Sequence, residues 1–209
     1  MSTPQELIEG FRRFRTRALA SDSAQFQNLV QFGQTPSTLV VACCDSRVDP
    51  ALILDCAPGD LFVIRNVANL VPPSENQGHY HGTSAALEFG VRNLKVQHII
   101  VLGHAQCGGI HALLEGGVSK DDSFIAEWMG IASDAKARVE IEHANAESGV
   151  RHRACEQQAI LVSLENLRTF TWVRERVDSG QLELHGWYFD MEQGKLLGYN
   201  QATRQFEAL

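Results

Sequence analysis

Apolar side chains recur at helical spacing through residues 4–32, as Leu7, Ile8, Phe11 and Phe14 and then Phe26, Leu29 and Val30, with Thr3-Pro4 supplying a cap and first turn. The spacing predicts one or two amphipathic helices, an N-terminal arm over 1–32 that packs on its own domain or on a partner subunit. From Ser37 the pattern changes. "STLVVACC" (37–44), "DLFVIRN" (60–66) and "QHIIVLGH" (97–104) are short, β-branched and apolar on both faces, the signature of buried parallel strands. "GTSAALEFGVRNL" (82–94) returns to a helical period, so the second and third strands form a β-α-β unit with a right-handed crossover. A helix is expected to start near Gly108, and residues 123–145 and 150–178 read as mostly helical, the latter with Ile160, Leu161, Leu164, Leu167 and Val173 on one broad stripe. The tail, "LELHGWYFDMEQGKLLGYN", breaks at "EQGK" like a strand hairpin. The fold class expected is α/β: a central, mostly parallel β-sheet flanked by helices, with an N-terminal helical arm and a C-terminal strand hairpin. With no internal repeat and no linker-like stretch, 1–209 is expected to be a single domain.

Composition narrows the function. The chain is 44% hydrophobic and 21% charged, as a globular protein should be, and its net charge of −7 argues against a general nucleic-acid binder. The one local basic run, "FRRFRTR" (11–17), reads as a solvated helix face. No apolar run approaches the roughly 18–20 residues that cross a bilayer, and the N-terminus has no apolar signal core. Five cysteines, an odd count, favour a reducing compartment with thiols free or bound to metal. A soluble, cytoplasmic protein with no membrane contact is expected.

Polar, reactive residues gather just past the carboxyl ends of the three strands: Cys43 to Arg47, Arg65-Asn66, and His104 to Cys107. Open α/β sheets bind ligands at that edge. Side chains alternate along a strand, so a strand running through residue 45 turns Cys43 and Asp45 one way and Cys44 the other, leaving Cys44 a small buried hydrophobe. His104 and Cys107 are spaced H-x-x-C at a strand-to-helix turn. Taken alone, that pair is more often ordinary core. With Cys43 at a matching strand end it makes a Cys₂His set suited to zinc, and three protein ligands leave a fourth position open, as in catalytic zinc sites. Asp45 and Arg47 at the surface are worth only ~0–1 kcal/mol as an ion pair. Beside a metal, an Asp kept ionised and held back by Arg47 can instead accept a proton from bound water.

These motifs carry a resemblance. "CCDSRV" with "GHAQCGG", and "PGDLFVIRNVANLVPP" between them, resemble the β-class carbonic anhydrases over about Gln34 to Gly117. The resemblance implies zinc, one ion per subunit, on Cys43, His104 and Cys107, with Asp45 and Arg47 as the catalytic dyad. It implies CO₂ and bicarbonate as ligands and self-association into a dimer or tetramer with the cleft at the subunit interface. Similarity to the plant-like branch further implies that Gln34 and Phe62 contact substrate and serve a neighbour's zinc, and that Phe89 stands where that branch has a tyrosine, keeping the ring without the hydroxyl. Val40 stands where the other, bicarbonate-regulated branch has a tryptophan, so an open, water-bearing site is expected. The implied reaction is zinc-dependent reversible hydration of CO₂ to bicarbonate and a proton, by attack of zinc-bound hydroxide, with backbone N–H groups near Gly108 and Gly109 holding negative oxygens. Two thiolates already cancel the zinc's formal charge, so activity should rise with pH above neutrality. Two alternatives are a related zinc hydrolase acting on CS₂ or COS and a non-catalytic bicarbonate- or zinc-binding module; Asp45, Arg47 and Gln34 together disfavour the second.

Other residues are assigned duller roles. His79 and His81 sit on a loop before a helix, where one could shuttle protons; His111 is structural or interfacial; Cys56 and Cys155 are buried thiols; Trp128, Trp172 and Trp187 belong to the core or a subunit interface.

Overall fold

The computed structural model describes residues 3–18, 24–75, 80–116 and 124–209. Its first elements are helices α1 (Pro4–Ala18) and α2 (Ala24–Phe32), on which Leu7, Phe11, Val30 and Phe32 are exposed. Strand β1 (Thr38–Cys43), helix α3 (Pro50–Ile53) and strand β2 (Leu61–Asn66) follow. Helix α4 (Gly82–Glu88) runs into a π-helical turn over Phe89–Asn93 and leads to β3 (His98–His104). Helices α5 (Gly108–Glu115), α6 (Phe124–Met129), α7 (Ser133–Glu142), α8 (Ser148–Leu167) and α9 (Thr171–Asp178) precede β4 (Glu183–Asp190), β5 (Lys195–Asn200) and β6 (Gln205–Ala208).

The strands make one sheet in the order β2-β1-β3-β4-β5-β6. The first four are parallel, and β5 and β6 return antiparallel. The expected C-terminal hairpin is therefore a three-stranded antiparallel meander. Its last strand is short and mostly exposed, so it lacks the apolar run that marked the buried strands. Apolar residues on both faces of β1 and β3 are explained by what covers them. Leu39, Val41, Ile99 and Val101 pack under Ile160 and Leu167 of α8 and Leu87 of α4, while Val40, Ala42, Ile100 and Leu102 pack with Leu61 and Trp187 on the other face. Burying a side chain such as Ile160 stabilises by about 1.5–3 kcal/mol. Helix α8 approaches β3 so closely that a Cβ at Gly103 would lie 2.6 Å from Ile160 Cδ1. Among the described residues no helix is long and apolar enough to cross a membrane.

The topology positions the site. From β1 the chain moves outward to β2, and from β3 it moves the other way to β4. The crevice where strand order reverses thus lies between the carboxyl ends of β1 and β3, which end on Cys43 and His104.

Candidate metal centre and active site

Cys43, His104 and Cys107 converge. Their ligand atoms all lie within 4.8 Å of one another, and all three residues are buried. His104 Nδ1 lies 2.8 Å from the carbonyl oxygen of Ala105. A carbonyl only accepts, so Nδ1 carries the proton and Nε2 presents a lone pair. That Nε2 is buried and has no hydrogen-bond partner among the described residues. An orphaned buried acceptor costs about 1–3 kcal/mol, and a cation facing two sulfurs removes the cost. The donor set and the tautomer both fit zinc.

Backbone amides prepare both sulfurs for negative charge. Cys43 Sγ accepts from Asp45 N at 3.4 Å and from Ala68 N, and Cys107 Sγ accepts from Gly109 N and Ile110 N at the start of α5. A hydrogen bond from the Cys107 side chain outweighs burial and draws the Cys43 thiol down to about 4, while that same contact and burial together push Cys107 up. The Ala68 amide is aimed by a strained turn: Ala68 and Asn69 have φ of 62° and 49°, in the left-handed region. Asn66 clamps that turn, its Oδ1 accepting from Leu70 N at 2.9 Å and its Nδ2 donating to Leu70 O at 2.8 Å.

Arg47 grips Asp45 with two parallel bonds, Nε to Oδ1 at 3.0 Å and Nη2 to Oδ2 at 2.7 Å, and its backbone N–H adds a third at 2.9 Å to Oδ1. The Arg47 hydrogen bonds outweigh burial and hold the Asp45 carboxyl well below the usual carboxylate range. Arg47 is anchored in turn by Gln106, through Nη1 to Oε1 at 3.3 Å and Nη2 to the carbonyl at 3.2 Å. Arg65 ties down the same loop, donating to the carbonyls of Cys43 at 2.9 Å and Asp45 at 2.7 Å, and to Asp49, the N-cap of α3, at 3.0 Å.

Other residues depart from expectation. β1 ends at Cys43, so alternation stops there, and Cys44 is exposed instead of buried. It lines a cleft of about 920 Å³ with Asn66, Val67, His81, Thr83 and Trp128. The turn after Cys43 brings the Asp45 backbone N–H to the sulfur, and the Asp45 carboxylate interacts electrostatically with His104. Cys56 is only partly buried, because its loop lies at the surface; Cys155 is fully buried. Gly109 N–H points to Cys107 Sγ, so it is not free for the anion-holding role expected of the helix start. Gln34, Phe62 and Phe89 are not brought to the cluster within one chain. Gln34 precedes the first residue of β1, Phe62 pairs with Leu39 near that same end, and the Phe62 and Phe89 rings lie 5.9 Å apart. His79 lies outside the described residues. His111 is exposed on α5 and packs at a tilt against His152, with ring centres 4.6 Å apart.

Two residues that brace the candidate site carry little mark in the sequence. Glu156 of α8 is buried and accepts the Cys107 N–H at 3.0 Å, and Gln106 buttresses Arg47. Glu156 had one available signal, an acid on an otherwise buried helix face. Gln106 had only its place inside H-x-x-C.

The family model for carbonic anhydrase matches residues 38–196, and all three converging residues fall inside the match. The β-carbonic anhydrase CcaA superposes with a TM-score of 0.92 at 34% identity, covering 100% of both chains. This chain belongs to the β-carbonic anhydrase family. A chloroplastic β-carbonic anhydrase of Arabidopsis thaliana is 39% identical over 186 residues, 88% of this chain and 61% of that protein. The chain spans about three fifths of the length of the curated plant relatives it matches. A tetrameric β-carbonic anhydrase of Sordaria macrospora is 27% identical, with a TM-score of 0.82 over 93% of this chain and 95% of that one.

Proposed function

We propose that the protein catalyses reversible hydration of CO₂ to bicarbonate and a proton, using zinc held by Cys43, His104 and Cys107. The observation that carries this is the buried, partnerless Nε2 of His104 facing two amide-stabilised sulfurs at the sheet's switch point. Zinc in such a set supplies a Lewis-acidic fourth position that brings the pKa of bound water towards ~7 in hydrated sites. Family membership supports the reaction.

The chain's own residues supply orientation and charge. Arg47 engages both Asp45 oxygens, which keeps the carboxylate from closing the fourth position. Because its pKa is depressed, Asp45 accepts a hydrogen bond from the attacking water and orients it, without storing the proton at neutral pH. Gly108 N–H, at the positive end of α5, holds negative charge developing on the substrate oxygens. Gln34, Phe62 and Phe89 complete the site of a second copy, the protein working as a dimer or tetramer. Their distance from their own cluster and the half-exposed Phe89 ring support this, as does the tetrameric Sordaria relative. We place the enzyme in the cytoplasm.

The test is stopped-flow CO₂ hydration by the zinc-loaded protein beside Cys107→Ser, from pH 6 to 9. The expected result is fast hydration that climbs above neutrality in the parent and disappears with the metal in the variant. Stoichiometric zinc without hydration at any of these pH values overturns the proposal and directs the next assay to CS₂.

A further inference from the structure

A second group of ligand-type side chains stands at the opposite edge of the sheet. His98 opens β3, Glu183 opens β4 directly across from it, and His185 lies two residues further on the same face of β4. His98 Nδ1 and His185 Nε2 face each other at 3.3 Å, and Glu183 Oε2 lies 3.7 Å from each. A tetrahedral ion bound at ~2.0–2.2 Å by nitrogen and oxygen holds its ligand atoms about 3.3–3.5 Å apart. The three atoms therefore already sit near the spacing such an ion requires. Without one, the three groups bond little to one another and are left to solvent. Two neutral rings share at most one N–H···N bond, and the carboxylate oxygen is beyond hydrogen-bond reach of both.

We propose that His98, Glu183 and His185 form a second binding site for a divalent transition-metal ion, zinc foremost. Two imidazoles and a carboxylate are a recognised zinc donor set, and both histidines stand on adjacent paired strands, which pre-sets their geometry. Burial, with the neighbouring His98, lowers the His185 pKa against the opposing pull of Glu183, so its lone pair is available at neutral pH. The side chains are 33–67% exposed, so this ion exchanges with solvent and is held less tightly than one at the buried cluster. The sites are separated by the length of β3, six residue steps from His98 to His104 or about 20 Å, and do not share ligands. An ion here clasps the leading ends of β3 and β4.

The test is zinc content after equilibrium dialysis against micromolar free zinc, with the parent, Cys107→Ser, His185→Ala and Glu183→Gln compared. The parent should bind two equivalents. Cys107→Ser should lose the tight one and keep the weaker. His185→Ala should weaken the second site by at least about 10–100-fold, the range seen even for outer-shell partners, and Glu183→Gln, at an exposed position that does not threaten folding, should weaken it too. CO₂ hydration should persist in both. Nickel supplies an independent readout, because the Trp187 ring lies 6.5 Å from that of His185 and should be quenched saturably in the parent, not in His185→Ala. A parent that binds one equivalent, or a second equivalent that survives both His185→Ala and Glu183→Gln, overturns the proposal.

Discussion

Glu156 joins the candidate metal centre to the sheet: one carboxylate oxygen accepts the backbone N–H of Cys107 at 3.0 Å, and the other accepts the hydroxyl of Tyr188 at 2.7 Å. All three groups are buried. Glu156→Leu strands both donors, at about 1–3 kcal/mol each, and lets the Cys107 turn drift. Zinc affinity should fall by about 10–100-fold. Tyr188→Phe strands one buried carboxylate oxygen and should cost about 1–3 kcal/mol, with zinc affinity nearly kept. Chemical denaturation and competition with a chelator read the two effects separately.

Arg47→Ala should reduce kcat/KM by about 100-fold or more at unchanged zinc content, because a freed Asp45 no longer orients water. Arg47→Lys should rescue little of this, since an ammonium cannot reproduce the two parallel bonds. Stopped-flow rates on samples of matched zinc content decide the matter.

The neighbouring glycines at the start of α5 should respond differently to alanine. A Cβ at Gly109 would lie 2.9 Å from Val67 Cγ1 and 3.2 Å from Ala68 Cβ, both fixed by the strained turn, whereas one at Gly108 meets nothing within 4 Å. Gly109→Ala should destabilise by about 1–3 kcal/mol and disturb zinc binding. Gly108→Ala should leave stability nearly unchanged. Urea midpoints of the two variants provide the comparison.

Asp190 closes the β4–β5 turn. Its Oδ1 accepts from the N–H groups of Glu192 and Gln193, each at 3.1 Å, and its Oδ2 pairs with Arg153 at 2.8 Å. Burial raises its pKa, but these partners outweigh burial and the net shift is downward. The folded protein then releases this proton more readily than the unfolded chain. The stabilisation is present above the unfolded value of about 3.9 and is lost as pH falls through the lower folded value. Asp190→Asn should cost about 1–3 kcal/mol at neutral pH, and its difference from the parent should shrink on acidification below about pH 4. Denaturation curves across that range test it.

If Gln34 acts across a subunit interface, Gln34→Ala and Cys107→Ser should complement each other. Each alone is impaired. In a mixed dimer, the Gln34→Ala chain supplies an intact metal cluster and its Cys107→Ser partner supplies Gln34. One site per mixed dimer is whole, so random mixing of equal amounts should restore about a quarter of parental sites. Activity no greater than the sum of the separate variants would show that Gln34 acts within its own chain.

The parallel core was legible in the sequence because strands buried on both faces must be continuously apolar, as "TLVVAC" and "HIIVLGH" are. Helix α8 was legible from its stripe. β6 was not: a short, exposed edge strand has neither a continuous apolar run nor a strong turn signal before it. Strand alternation predicts Asp45 beside Cys43 and Cys44 buried, but β1 ends at Cys43, so Cys44 is exposed and a turn, not the strand, brings the Asp45 N–H to the Cys43 sulfur.

The amino-acid sequence by itself determined the fold class and the chemical identity of the cluster. Burial periodicity and the donor properties of two thiols and an imidazole are local, and they survive in any arrangement that brings strand ends together. What only the tertiary structure decided was everything that depends on contacts between distant segments. Glu156 reaches Cys107 from forty-nine positions away, and Gln106 meets Arg47 from fifty-nine. His98 finds Glu183 and His185 only because β3 and β4 lie side by side in register. Such partners leave no periodic trace, since their meeting is set by strand order and helix packing.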